Sequence, residues 1–417
     1  MSIFRAFPVI VLLWTSAVAA PPPVVENSTL HSKMLMGYQG WFGCPGDGSQ
    51  VNGWHHWLRK RENVESLSIE MWPDTTGFGE DELYPTSFKL PDGSTAKLFS
   101  SHNRKTVQRH FQWMKQYGID GVLLQRFIGE VQDPRFRAFR NDVTGYVKES
   151  AEQQGRVFAI EYDMSAAQAD LVMQDWKDLV DGLKITASDR YLRHKDKPVL
   201  CLWGLGFTDR GGNAADALRL LNWFRKDAPE RYRATLVGGV PSGWREGIGD
   251  SLPGAEWAEV YHAFDVISPW TVGRYVDDAS ADRWLKDKII PDLTETKRLG
   301  IEYMPVVFPG FSWRNLHQGP PNQIPRRGGV FYWHQVANAT SAGAVMIKTA
   351  MFDEVDEGTA MFKTVPNKSA APVGVETLTL DADGKALPSD WYLRLAGETS
   401  RLLRKKIPAG KFPLERP

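Results

Sequence analysis

Residues 121–127 read GVLLQRF, residues 157–163 read VFAIEYD and residues 198–204 read PVLCLWG. Each is a short apolar run bounded by turn or helix signals, the pattern of a strand buried on both faces. Between the first two lies a helix-like stretch at 133–154, and between the second and third another at 166–183. In the latter Leu171, Val172, Trp176, Leu179 and Val180 follow i, i+4 and i+8 spacing, one face of a helix. Strands that alternate with helices in this way predict a parallel sheet with its helices outside.

The alternation continues in both directions. Further strands are predicted at 34–41, 234–240, 265–270, 303–309 and 344–351, and further helices at 104–117, 214–226, 255–263, 281–299 and 329–340. Eight such units over roughly 325 residues match an α/β fold of the (β/α)8 TIM-barrel class with insertions. An open doubly wound sheet is the alternative, but it would show a glycine-rich phosphate turn after its first strand, and none is present. A long insertion follows strand 1, from about 42 to 102. It carries the Trp54-His55-His56-Trp57 cluster and one extra strand candidate at 66–71. A long irregular segment inside a compact domain points to function. From residue 370 to 417 the chain reads as a C-terminal extension packed on the barrel, with a turn at Asp381-Ala382-Asp383-Gly384 and a helix near 391–404. The catalytic domain is thus expected at 21–369.

Residues 1–20 read as a secretory signal peptide: Arg5 in the first seven residues, an apolar run at 8–14, and Ala17-Val18-Ala19 as a small-x-small cleavage site near Ala19 or Ala20. No later stretch approaches the ~20 apolar residues of a membrane span, so the mature protein is expected to be secreted and free of the membrane. Sequons at Asn27, Asn338 and Asn367 are compatible with glycosylation. The chain of 417 residues has 50 Lys and Arg against 50 Asp and Glu, which leaves no basic footprint for nucleic acid. Its two cysteines, Cys44 and Cys201, could pair after export, but Cys201 sits in an apolar run and reads as a buried thiol. Aromatic residues make up 12% of the chain, which suits stacking on sugar rings and equally suits filling a large core.

In barrels of this type the active site lies at the C-terminal ends of the strands. This sequence places Tyr38 and Trp41 there, then Arg126, then Glu161, Tyr162 and Asp163, then Trp203, Trp270 and Trp313. The last strand ends in Asp353-Glu354-Val355-Asp356-Glu357-Gly358. Glu354 and Glu357 share a site only if the chain turns after Glu354, because i and i+3 on an extended strand face opposite ways. On a turn such a pair would push one pKa upward and supply an acid and a base together. The alternative is an acidic first helical turn favoured by the helix dipole. His55 and His56 could line subsites above the barrel or anchor the insertion. Arg326 could meet a sugar hydroxyl or form a surface ion pair. No clustered metal-ligand motif, phosphate loop or Gly-x-Ser-x-Gly elbow is present, so neither a metal nor an organic cofactor is expected.

The segment Phe352-Asp353-Glu354-Val355-Asp356-Glu357-Gly358-Thr359 resembles the Phe-Asn-Glu-Trp-His-Glu-Gly-Thr signature of glycoside hydrolase family 99, a relative of family 71. Ile160-Glu161-Tyr162 resembles that family's Ile-Glu-Pro-Tyr run, without the proline. Phe308-Pro309-Gly310-Phe311, with Asn322, Arg326, Gly329, Tyr332 and Trp333, resembles its seventh-strand region, and Gly37-Tyr38-Gln39-Gly40-Trp41-Phe42 its aromatic first strand. The resemblance implies a (β/α)8 barrel that cleaves α-mannan-type glycans with retention. It implies Glu354 as the base that deprotonates the sugar 2-hydroxyl, making that oxygen the internal nucleophile. It implies Glu357 as the general acid. Val355 and Asp356 stand where the signature has Trp-His, and Asp353 where it has Asn, so extra acid flanks each glutamate and should raise nearby carboxyl pKa values. The expected ligand is an oligosaccharide or polysaccharide. A non-catalytic carbohydrate-binding barrel derived from such an enzyme is the competing class. Sugar identity, linkage and oligomeric state are not legible.

Overall fold

A computed structural model describes residues 24–59, 62–164, 168–408 and 410–415. The segment read as a signal peptide, residues 1–20, lies outside the described residues. The barrel strands are Met34–Tyr38, Gly121–Phe127, Val157–Asp163, Lys197–Trp203, Thr235–Gly239, Val266–Ile267, a seventh in two pieces (Glu302–Tyr303 and Val306–Val307), and Ile347–Thr349. All are parallel to their neighbours in the ring. The seventh closes it: Glu302–Tyr303 pairs with the sixth strand and Val306–Val307 with the eighth. One short segment thus joins both ends of the sheet, and no barrel edge is left open.

Each of the eight predicted strands has its counterpart, though the last three are much shorter than their apolar runs. The helices Arg104–Tyr117, Pro134–Gln154, Ala169–Asp181, Ala214–Asn222, Ala255–His262 and Val330–Ser341 ring the sheet. The single helix predicted over 281–299 is instead Asp278–Trp284 and Ile290–Leu299 joined through a wider π turn, Leu285–Ile289. Pro291 lies just past that turn, and its missing N–H interrupts the regular ladder.

The long insertion differs from expectation. Its extended pairing is an antiparallel hairpin, Leu83–Lys89 with Thr95–Phe99, turned by Pro91-Asp92-Gly93. That turn chemistry is a hairpin signal in its own right. The strand candidate at 66–71 forms no strand. Its backbone is engaged elsewhere: the Glu70 and Met71 N–H groups both donate to the Val355 carbonyl, at 2.7 and 3.2 Å.

At the other end of the chain, the helix Trp391–Leu403 lies against the barrel. Ser400 Oγ donates to Asp120 at 3.0 Å, Arg404 pairs with the same carboxylate, and the Tyr117 hydroxyl donates to Asp390 at 2.7 Å. Asp120 also accepts the Met34 N–H at 3.0 Å, so one buried carboxylate ties the first strand to the last helix. Cys44 and Cys201 are both buried free thiols, and among the described residues no helix is long and apolar enough to cross a membrane.

The closest approach of this helix is at Gly397, where a Cβ would stand 1.9 Å from the Tyr117 carbonyl oxygen. Gly397→Ala is therefore expected to lose about 1–3 kcal/mol of stability by overpacking. Urea denaturation checks this, and an unchanged midpoint would show that the contact is not maintained.

Candidate active site

Parallel pairing in register sets which side chains share the barrel lumen. Gln125, Glu161 and Cys201 are Cα partners on adjacent strands, and so are Phe127, Asp163 and Trp203 one layer higher. Residues between them point outward, because side chains alternate along a strand. Above these layers lies a cavity of about 270 Å3 lined by Gln39, Trp41, Gln125, Phe127, Glu161, Asp163, Trp203, Arg210, Trp270, Lys348, Met351, Glu354 and Glu357. Its floor is a buried ion pair. Lys348 meets one oxygen of Glu161, and Gln125 Nε2 donates to the other at 2.7 Å. Lys348 also lies 5.6 Å from the centre of the Trp270 ring, which meets Trp203 edge-on at 5.4 Å. Arg210 sits over Trp203 at 4.8 Å. On the opposite wall Trp41 stacks on Phe127 at 5.0 Å.

The acidic segment after the eighth strand is a tight turn, not the start of a helix, which removes the helix-dipole reading. Gly358, with φ of 67°, lets it fold back, and the Gly358 N–H reaches the Val355 carbonyl. Asp353 is spent on structure: its carboxylate accepts the Gln39 and Gly40 N–H groups at 2.7 and 3.0 Å. Asp356 takes His56 Nδ1 at 3.2 Å. Glu354 and Glu357 are left facing the cavity.

Burial drives the electrostatics of this turn. Desolvation, then Glu357 and Asp356, hold the Glu354 carboxyl well above the ordinary range, against a hydrogen bond from Gln39. Desolvation and Asp356 push Glu357 up to about 7, against hydrogen bonding from Trp313 and the charge of Arg210. Asp353 is likewise raised to about 7, chiefly by burial. The charge of Glu357 thus adds to burial in favouring the protonated form of Glu354, and Asp356 adds to burial in favouring that of Glu357.

Several residues named from the sequence stand elsewhere. Tyr38 is fully buried behind the sheet, hydrogen-bonded to His110 Nδ1 at 2.9 Å. Arg126 and Tyr162 point outward, where both engage Asp175 of the surrounding helix Ala169–Asp181, at 2.6 Å in each case. They fasten helix to strand. Arg326 is neither a sugar contact nor a surface ion pair. It is buried over the Tyr392 ring at 3.8 Å and donates to the Gly358 and Ala360 carbonyls at 3.0 and 2.7 Å, clamping the acidic turn from behind. Trp313 is partly exposed on the rim beside Glu357. His56 stacks on Trp41 at 3.6 Å, on the side away from the cavity, and His55 bonds Glu130 at 3.1 Å. These two imidazoles and Glu130 are the group near the site with ligand atoms close enough for a metal.

Residues not singled out from sequence complete the site: Gln39, Gln125, Phe127, Arg210, Lys348 and Met351. Strand parity would have supplied Gln125 and Phe127, because they share the faces of Glu161 and Asp163. A larger cavity, about 890 Å3, opens between Arg314, Asn322 and the segment 371–382, but no aromatic side chain lines it.

No protein-family model and no curated protein sequence matches this chain. Solved structures do. The family 99 endo-α-mannosidase of Bacteroides thetaiotaomicron aligns with a TM-score of 0.65 at 14% identity, over 90% of this chain and 99% of its own. The same enzyme in complex with bis-tris-propane aligns at 0.64 and 14%, over 91% and 99%. A glycoside hydrolase-like protein aligns at 0.54 and 12%, over 92% and 97%. The class is thereby defined: this chain has the (β/α)8 barrel fold of glycoside hydrolases. Among the solved structures with this fold, the family 99 enzyme is similar over nearly its whole length, at 14% identity.

The raised carboxyls make a stability prediction. Glu357 has an ordinary value of 4.5 and a folded value of about 7, so the folded chain binds more protons between those limits. Its contribution is intact below about pH 4.5 and is lost as pH rises through about 7. Glu357→Gln, which cannot ionise, should melt above the wild type at pH 8 and level with it at pH 4. Paired thermal melts read this; an equal difference at both pH values would refute it.

Proposed function

We propose that this protein is a glycoside hydrolase that cleaves an α-mannan-type glycan with retention, using Glu354 and Glu357. The observation that carries the reading is the pair itself: two carboxylates whose pKa values are both raised, chiefly by burial, at the C-terminal mouth of a barrel, in a cavity walled by Trp41, Trp203 and Trp270. Buried polar atoms on cavity residues support it. Gln39 Oε1, Trp41 Nε1 and Trp203 Nε1 have no protein partner among the described residues, and hydroxyl groups of a sugar would satisfy them. At about 270 Å3 the cavity is near the small end of ligand pockets, so it grips a short part of a glycan.

In this reading Glu354 removes the proton of the sugar 2-hydroxyl, and that oxygen attacks the anomeric carbon as the glycosidic bond breaks. Glu357 gives its proton to the departing oxygen. Water then opens the 1,2-anhydro ring: Glu357 takes a proton from the water, and Glu354 returns one to the 2-oxygen. Two displacements restore the original anomeric configuration. Each step needs one carboxyl protonated and one ionised, and burial raises both carboxyls, Glu357 to about 7, so that protonated forms persist near neutral pH. Export through the N-terminal segment, with glycan as the partner, belongs to the same proposal.

Hydrolysis of a panel of oligosaccharides and polysaccharides, α-mannans included, tests it. Glu354→Gln and Glu357→Gln should each lower kcat/KM by about 10²–10⁴-fold with folding intact. Activity indifferent to both changes would sink the assignment. Glycan binding without hydrolysis by the wild type would favour a carbohydrate-binding barrel instead.

A further inference from the structure

The insertion after the first strand brings a second set of reactive groups to the rim. His55 Nε2 lies 3.1 Å from Glu130 Oε1, and His56 Nε2 lies 3.9 Å from the same oxygen. All three ligand atoms fall within 4.8 Å of one another. Consecutive side chains on an extended segment point to opposite faces. Here they do not, because His56 adopts a left-handed φ of 61° that swings its ring to within 4.4 Å of His55. The three side chains remain 26%, 24% and 20% exposed, so the cluster opens to solvent.

The remaining atom of two of these groups is already held. His56 Nδ1 faces the Asp356 carboxylate at 3.2 Å, which fixes that nitrogen as the proton carrier and turns the Nε2 lone pair toward the cluster. Glu130 Oε2 is held by Arg140 through Nε at 2.7 Å, leaving Oε1 for the cluster. A carboxylate behind an imidazole and a donor behind a carboxylate are the supports that orient metal ligands.

We propose that His55, His56 and Glu130 bind one divalent transition-metal ion of the zinc class. Two imidazoles and a carboxylate are a borderline N/O set, suited to Zn²⁺ or Co²⁺ and poorly suited to Mg²⁺ or Ca²⁺, which take oxygen ligands. Bonds of about 2.0–2.2 Å in a tetrahedron put ligands ~3.3 Å apart, so His56 must close on Glu130 from 3.9 Å and the three ligand atoms must draw in from within 4.8 Å of one another. Three protein ligands leave the fourth position to solvent. The ion would brace His56 between Asp356 and the Trp41 wall, on which it stacks at 3.6 Å. This goes beyond the glycosidase reading and does not depend on it.

A similar trio at the opposite end of the barrel, His31, His194 and Glu302, makes a useful contrast. There the Leu30 N–H points at His194 Nδ1 from 3.3 Å, so the ring proton sits on Nε2, the atom facing Glu302. Lys195 Nζ also occupies Glu302 at 3.0 Å. His194 therefore offers that trio no free lone pair, and the Glu302 carboxylate is already shared among His31, His194 and Lys195.

Full-length mature protein stripped with chelator and titrated with Zn²⁺ by calorimetry should take up one equivalent, and Mg²⁺ should not compete. His55→Ala and Glu130→Gln should each weaken that uptake by at least about tenfold, and His31→Ala should leave it unchanged. Circular dichroism verifies that the variants fold. Independently of any variant, Zn²⁺ soaked into wild-type crystals should give an anomalous peak among the three side chains. No saturable uptake, an equivalent that survives both substitutions in folded protein, or a peak elsewhere would overturn the site.

Discussion

Four carboxylates occupy five consecutive positions after the eighth strand, and three of them are almost wholly out of water. Such a turn is stable only if the rest of the chain supplies what water would have given. It does so from every side. The first strand's exit gives two N–H groups to Asp353. The insertion gives His56 to Asp356 and two N–H groups to the Val355 carbonyl. The loop after the seventh strand gives the Ser312 N–H to the Glu357 carbonyl at 3.0 Å, and Arg326 clamps the carbonyls of Gly358 and Ala360. Segments scattered over some three hundred residues converge on one turn. What they leave unneutralised is the pair that faces the cavity.

The same constraint explains why the insertion is long and why its predicted strand fails. The backbone at Glu70 and Met71 cannot join a sheet while it holds the acidic turn. Glu70 extends the scaffold: its carboxylate accepts the Ser312 hydroxyl at 2.6 Å and the Asn315 N–H at 2.5 Å, tying the insertion to the seventh loop. The two loops that hold the acids are therefore held to each other. Packed behind this scaffold the carboxyls are cut off from water, and that desolvation is the largest cause of their raised pKa values.

The barrel was legible because its signal is periodic and local: apolar runs of strand length, separated by amphipathic helices. Glu354 and Glu357 stood out as a motif at a strand end. What misled the reading of the rim was parity. Glu161, Tyr162 and Asp163 cannot all face one side, nor can Gln125 and Arg126, and naming the charged or aromatic member of each stretch put Arg126 and Tyr162 in the lumen. Their outward positions follow from alternation alone. Lys348 was hidden differently. It sits in an apolar run on the last strand, and nothing nearby in sequence announces that Glu161, 187 positions earlier, is its partner. Long-range pairs of this kind, like Arg326 with the acidic turn, exist only once the chain has closed.

Asp356 shows how a residue that departs from the resembled signature is given its partner by a distant part of the chain. The family 99 signature has a histidine between its two acids' flanks, where this chain has an aspartate. An extra charge there should by itself favour a permanently protonated pair. Here an imidazole arrives from the insertion instead, and His56 Nδ1 bonds Asp356 at 3.2 Å. The two side chains form one hydrogen-bonded unit built from positions 300 residues apart. One of the carboxylates added to the turn is thus engaged by a partner from the insertion, and Glu354 and Glu357 remain the acids that face the cavity.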